Sequence, residues 1–192
     1  MTKNILLVGV GGQGTITASK LLTIGLMKAG YDVKMSEIHG MSQRGGDVSS
    51  QVRYGKKVYS PVIPKGEADI IVAFEKMEAL RSLSYLKSDG IMVVNDYEMN
   101  PMPVVSGYAS YSADIVKELK AKANVIDFKA FDAASELGNA KALNVLLLGA
   151  TVEMMGLTDI DWNTIIKENV KQKFVELNQK AFVKGMELVK GK

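Results

Sequence analysis

The 192-residue chain contains no cysteine. That excludes disulfides, cysteine zinc sites, thiol nucleophiles and cysteine-ligated iron–sulfur clusters within it. A single histidine, His39, leaves little from which to build a nucleophilic triad, and the sequence fixes no orienting partner for it. The acidic residues are scattered without metal-ligand spacing, so no metal site is expected. No apolar run approaches the roughly 20 residues that span a bilayer. Met1-Thr2-Lys3-Asn4 runs straight into an apolar segment, which is read as leaving no room for a signal peptide. The net charge of +3 comes from basic residues spread along the chain and gives no nucleic-acid footprint. With 47% hydrophobic and 23% charged residues, the composition is that of one globular domain over 1–192, expected in the cytoplasm.

What the sequence does have is glycine in an informative place. Ile5 to Val8 reads as a buried strand, Ile16 to Lys28 has the apolar spacing of a helix, and between them lies Gly9-Val10-Gly11-Gly12-Gln13-Gly14-Thr15. Strand, glycine turn and helix form the context in which G-x-G-x-x-G has physical meaning. Gly9 would permit the tight turn, Gly11 the approach of a ligand to bare backbone, and Gly14 close packing of helix on strand. The N–H groups and dipole at the helix start favour an anion, usually a phosphate, beside the Gln13 amide and the Thr15 hydroxyl. A glycine turn that serves packing alone is the other reading.

Tyr31 to Ile38 reads as a second strand whose end carries Glu37, about where a dinucleotide-binding domain places its ribose-binding acid. A second loop follows at once, Glu37-Ile38-His39-Gly40-Met41-Ser42-Gln43-Arg44-Gly45-Gly46. It has no packing period. A guanidinium flanked by glycines can grip a phosphate or carboxylate bidentately, or simply meet a nearby carboxylate in a solvated connection. Asp47 to Tyr54 alternates as a strand with one polar face, and Val58-Tyr59-Ser60 is expected to return as the second strand of an inserted hairpin.

Further on, Ala68 to Phe74, Gly90 to Val94 and Asn124 to Phe128 read as buried parallel strands. Val104-Val105 reads as a short strand. Lys76 to Leu86, Ser112 to Ala123 with a serine cap, Ala130 to Leu137 and Leu143 to Met155, apolar nearly all round, read as helices. Glu75, Asn95 and Asp96 stand at carboxyl ends of strands, where ligands bind, though helix capping and turn formation explain them as well. Two amphipathic helices close the chain, one with Trp162, Ile165, Ile166 and Val170 on its apolar face, the other with Phe174, Leu177, Ala181 and Leu188. The fold class is α/β: a Rossmann-like, mostly parallel sheet with flanking helices, an inserted β-hairpin and a helical C-terminal tail.

The two loops together, followed by the Val52-Arg53-Tyr54-Gly55 strand and accompanied by Gly66-Glu67-Ala68-Asp69 and Phe74-Glu75, resemble the gamma-type domain of 2-oxoacid:ferredoxin oxidoreductases, most of all the indolepyruvate-type beta subunits. The resemblance covers essentially the whole chain. It implies a subunit, inactive alone, of a complex that oxidatively decarboxylates an arylpyruvate, passes the acyl group to coenzyme A and reduces ferredoxin. A partner alpha subunit would carry thiamine diphosphate, magnesium and the iron–sulfur clusters. Carried over to this sequence, Gly11, Gly12, Gln13, Gly14 and Thr15 would meet coenzyme A, with Ser42, Gln43, Arg44 and Gly45 across from them and His39 facing the shared catalytic site. The alternatives are a stand-alone Rossmann-type nucleotide-binding protein or NAD(P)-dependent oxidoreductase, with Glu37 on a ribose, and a pure interaction subunit that docks through the hairpin and tail.

Overall fold

A computed structural model of the chain describes residues 2–40 and 45–192, so Ser42, Gln43 and Arg44 lie outside the described residues. A six-stranded mixed sheet runs in the order β2-β3-β1-β4-β5-β6. Its strands are β1 (Lys3–Val10), β2 (Asp32–His39), β3 (Asp47–Gly55), β4 (Ala68–Ala73), β5 (Leu86–Asn95) and β6 (Asn124–Phe128). The pairs β1–β4, β4–β5 and β5–β6 are parallel; β1–β3 and β2–β3 are antiparallel.

The hairpin exists, but its strands are β2 and β3, paired from Asp32 opposite Gly55 to His39 opposite Val48. β3 therefore slips between β2 and β1 and bonds to both. The segment around Val58, expected to return as a strand, does not join the sheet. It folds over the sheet instead: the Arg53 guanidinium donates to the carbonyls of Ser60 (3.1 Å) and Val62 (2.9 Å), and the Gln51 side-chain oxygen accepts from the Ile63 amide at 2.6 Å. The polar face of β3 thus lies under a loop, and Gln51 and Ile63 are both buried.

Alternation along β1 divides the core in two. Ile5 and Leu7 face helices α1 (Thr15–Lys28), α6 (Leu143–Met154), α7 (Trp162–Asn169) and α8 (Val175–Val189). Leu6 and Val8 face α2 (Lys76–Ser82) and α4 (Ile115–Lys122). Because β4 is buried on both faces, its apolar run is continuous. α6 is apolar nearly all round because neighbours surround most of it: a Cβ on Gly149 would overlap the Phe182 carbonyl of α8, and one on Gly185 the Leu146 carbonyl of α6. Bare backbone is what lets these two helices cross so closely. The apolar side of α8 is Val175, Ala181, Phe182, Gly185 and Val189, with Leu177 and Leu188 only half-buried at its margin.

Other boundaries differ from expectation for local reasons. α2 ends at Ser82, and β5 begins at Leu86, four residues ahead of the apolar run. Val104-Val105, read as a short strand, belong instead to a one-turn helix, α3 (Met102–Val105), that starts from the extended Pro101. α4 begins at Ile115 without a side-chain cap, so Ser112 does not start it.

Candidate functional site

The carboxyl ends of β1, β4 and β5 meet the start of α1, and the glycine loop sits at that junction. Gly9 lies within β1, not in the turn; a Cβ there would come within 2.8 Å of Phe74 Cβ, so its lack of a side chain serves packing. The turn itself uses Gly12 (φ +105°) and Gly14 (φ +89°), conformations that L side chains rarely adopt. Gly14 is the N-cap of α1, and no side chain caps that helix. The N–H groups of its first turn are thus left without the usual side-chain acceptor, as an anion site requires. Gly14 also packs on α6: a Cβ would fall 2.8 Å from Asn144 Nδ2 and 3.0 Å from Asn144 Cβ.

The second loop is tied to the first through the backbone. The Gly11 amide donates to the Gly46 carbonyl at 2.8 Å, and the Gly45 amide donates to the Gly11 carbonyl at 3.3 Å. The two glycine segments read from the sequence as one cradle are therefore adjacent in space. Of the residues placed across the cradle, Gly45 is there with φ +77°; Ser42, Gln43 and Arg44 lie outside the described residues.

The remaining candidates take different places. Gln13 braces the loop: its Oε1 accepts from the Val10 amide at 2.8 Å, and its Nε2 donates to the Phe74 carbonyl at 3.1 Å. Thr15, Glu37 and His39 line a cavity of about 360 Å³ together with Gly11, Gly12 and Gly14. His39 is exposed there, with Nδ1 at 3.3 Å from the Gly40 carbonyl. Glu37 reaches this cavity although β2 is not next to β1, because the inserted β3 and the sheet twist still bring the end of β2 beside the start of α1.

Glu75, Asn95 and Asp96 are structural. Glu75 caps α2 through the Glu78 amide (3.0 Å) and accepts from the Met99 amide (3.3 Å) and the Tyr111 hydroxyl. Burial, followed by that bond to the Glu75 carboxylate, pushes the Tyr111 hydroxyl well above the usual phenol range. Asn95, wholly buried, donates to the Phe74 carbonyl (2.9 Å) and accepts from the Phe131 amide (3.3 Å), joining the ends of β4, β5 and β6. Asp96 pairs with Lys76 at 3.4 Å, and Glu98 pairs with the same ammonium at 2.7 Å. Burial alone would lower Lys76, but those two carboxylates outweigh it and hold the ammonium above its ordinary value. This network pins the segment after β5 across the site.

That segment supplies residues that sequence reasoning missed. Tyr97 and Met99 line a second cavity of about 260 Å³ with Gln13, Phe131, Lys141 and Leu143, and Gly11 and Gly12 form its shared wall with the first. Tyr97 could have been found from its place just beyond the carboxyl end of β5. Phe131 comes from the start of α5 (Ala130–Glu136), Lys141 from the turn before α6 and Leu143 from its first residue, and these carry no local signal. Among the described residues, no group of three or more acidic or histidine side chains could hold a metal ion, and no helix is long and apolar enough to cross a membrane.

The family model described as pyruvate ferredoxin/flavodoxin oxidoreductase matches residues 4–188. The chain is 42% identical over 193 residues to the indolepyruvate oxidoreductase subunit IorB of Pyrococcus horikoshii, covering 97% of this chain and 96% of that protein. The IorB subunit of Thermococcus kodakarensis is 40% identical with the same coverage. Among solved structures, the gamma subunit of a keto/oxoacid ferredoxin oxidoreductase from Geobacter sulfurreducens shares the fold, with a TM-score of 0.74 at 24% identity over 97% of this chain and 98% of that one. So does the 2-oxoglutarate:ferredoxin oxidoreductase from Magnetococcus marinus with 2-oxoglutarate, coenzyme A and succinyl-CoA bound. Its TM-score is 0.78 at 19% identity, and all of this chain matches 31% of that longer one.

Proposed function

The chain belongs to the pyruvate ferredoxin/flavodoxin oxidoreductase family and is a subunit of a 2-oxoacid:ferredoxin oxidoreductase; we propose that it covers the active site of that assembly and cradles coenzyme A. The single observation that carries this reading is the backbone link between the two glycine loops, Gly11 to Gly45 and Gly46, beside an α1 N-terminus that no side chain caps. The Gly11 and Gly45 N–H groups are spent on that link, which leaves the uncapped N–H groups at the start of α1 to suit a diphosphate: they donate without side-chain bulk, and the helix dipole favours negative charge. Gly11, Gly12, Gly14, Thr15 and Gly45 would form the floor. Gln13 would hold it rigid, and Ser42, Gln43 and Arg44 of the second loop would contribute polar groups to the anion. His39, exposed on the cavity wall, would face the shared catalytic centre.

Iron–sulfur clusters do not fit on this chain, which has no cysteine to ligate them. The described residues gather no metal-binding group for magnesium. Thiamine diphosphate, its magnesium and the clusters would sit on a partner alpha subunit, with which this chain would work in the cytoplasm. The substrate we propose is an arylpyruvate, in line with the indolepyruvate names of the relatives near 40% identity. The complex would decarboxylate it oxidatively, with acyl-CoA as product and ferredoxin as electron acceptor. Replacing Arg44 tests the cradle. In the assembled enzyme, Arg44→Ala loses a charge-assisted hydrogen bond and should raise the KM for coenzyme A roughly 10- to 100-fold. An unchanged coenzyme A dependence would show that the ligand lies elsewhere.

A further inference from the structure

The chain between β5 and α4 forms a strap at the carboxyl end of the sheet, and both its ends are tied to the start of α2. The Lys76 amide donates to the Tyr97 carbonyl at 3.2 Å, and the Met99 amide donates to Glu75 Oε1 at 3.3 Å. The Tyr111 hydroxyl returns to that same carboxylate oxygen. Within the strap, the Tyr108 and Ala109 amides both donate to the Pro103 carbonyl, at 2.8 and 3.1 Å. A segment held this firmly still turns three large apolar side chains to solvent: Met102, Val105 and Tyr108 are 72%, 65% and 89% exposed. None of the three packs in either core. Apolar side chains displayed together on a preorganised loop suit another protein surface, because little order remains to be imposed on binding.

Beneath the strap lies a cavity of about 470 Å³ that reaches Gly45 of the second loop. Met77, Met99, Pro101 and Met102 give it apolar walls. Asp47, Glu75 and Glu78 bring carboxylates to it, and among its described residues Arg81 is the only cation. That guanidinium is committed to Glu78 at 2.5 Å. Burial raises the Glu78 carboxyl against the pull of Arg81, and the charges of Glu75 and Asp47 add to the rise. The chain as a whole carries +3, so this corner has the opposite sign. An apolar-walled, negative slot fits a long basic side chain, whose stem is apolar and whose head is cationic. A second copy of this chain fits poorly, since a twofold contact would set one acidic cavity against the other.

We propose that the strap docks this chain onto the thiamine- and cluster-bearing partner subunit: Met102, Val105 and Tyr108 form the apolar contact, and the cavity beneath receives a lysine or arginine of the partner. This rests on the reading that the assembly contains such a partner, and adds to it the face by which the two chains meet. Because the cavity reaches Gly45, docking there sets the partner beside the glycine loops.

The test measures binding of this chain to the purified partner subunit by titration calorimetry, under anaerobic conditions, at low and at high salt. Val105→Asp and, independently, Tyr108→Asp change exposed positions and leave the fold intact, which thermal unfolding checks. Each should raise Kd about tenfold or more. Asp47→Lys should raise Kd about tenfold at low salt and less at high salt, because salt screens the charge pairing that it reverses. Tyr59→Asp, 90% exposed on the loop over β3, should stay within about twofold of wild type. Wild-type affinity in all three of the first variants would overturn the docking face, as would a loss confined to Tyr59→Asp. An Asp47→Lys effect that is absent, or equal at both salts, would remove the basic side chain from the cavity. If the wild-type chain and the partner do not bind at all, the two-chain reading fails, and the docking face falls with it.

Discussion

Substituting alanine at Gly14 probes the point where the glycine loop, α1 and α6 converge. Two penalties act there. The backbone holds φ at +89°, and placing a Cβ in the left-handed region costs roughly 1–2 kcal/mol. The added methyl would also sit 3.0 Å from Asn144 Cβ, an atom fixed by the α6 backbone, so relief requires moving a helix; overpacking of this kind costs roughly 1–3 kcal/mol. The sum, roughly 2–5 kcal/mol, corresponds to a fall in Tm of about 10 °C for a chain of this size. Gly30 supplies the control. Its φ of +86° is nearly the same, but nothing lies within 4 Å of a Cβ built on it. Gly30→Ala should therefore show the backbone penalty alone, about 4 °C. Thermal unfolding of the purified variants, followed by circular dichroism, compares the two. Equal shifts would mean that Asn144 yields freely, and that the loop is not wedged against α6.

Other outcomes follow from the same contacts. Asn95→Ala leaves the Phe131 amide without its partner and takes one of two donors from the Phe74 carbonyl, which keeps Gln13 Nε2, and urea titration should show a loss of about 1–3 kcal/mol. Glu78 is buried, which raises its carboxyl against the opposing pull of Arg81. Because the folded value is raised, the protonated form is favoured in the fold; the benefit is full below the unfolded pKa and fades as pH rises through the folded one. The Tm of Glu78→Gln should accordingly gain on wild type as pH rises from 4.5, the ordinary glutamate value, and a difference that stays constant as pH rises would contradict the assignment. Arg53→Ala frees the carbonyls of Ser60 and Val62, so limited proteolysis should cut faster within residues 56–63, with a stability loss of about 1–2 kcal/mol measured in urea.

Much of the fold could be read from residue pattern because parallel strands buried on both faces give unbroken apolar runs. Ile70 to Ala73 and Met92 to Val94 are of this kind, and each is solvent-free in the fold. β3 concealed its place for the converse reason. Ser49, Gln51 and Arg53 look like a wet face, but Gln51 and Arg53 bind the loop that folds over them. A strand that is polar on one side was therefore compatible with an edge, whereas β3 lies between two strands. The meeting of the two glycine segments was legible because glycine spacing is a backbone requirement written directly in sequence. Glu37 was found by its distance from the loop, although the strand inserted beside β1 is not part of the pattern that motivates that distance. The Tyr97–Phe131 cavity was not legible, since its walls come from the segment after β5 and from the starts of α5 and α6. Only the tertiary contacts of Glu75 and Asn95 bring those pieces together.

The central claim is that this chain supplies the coenzyme A cradle of a two-chain oxidoreductase. The most direct test is arylpyruvate-driven ferredoxin reduction, titrated with coenzyme A under anaerobic conditions, by the thiamine- and cluster-bearing partner alone and after this chain is added back. Saturable coenzyme A dependence that appears only in the reconstituted complex is the predicted result. The same rate and the same KM for coenzyme A from the partner alone would contradict it.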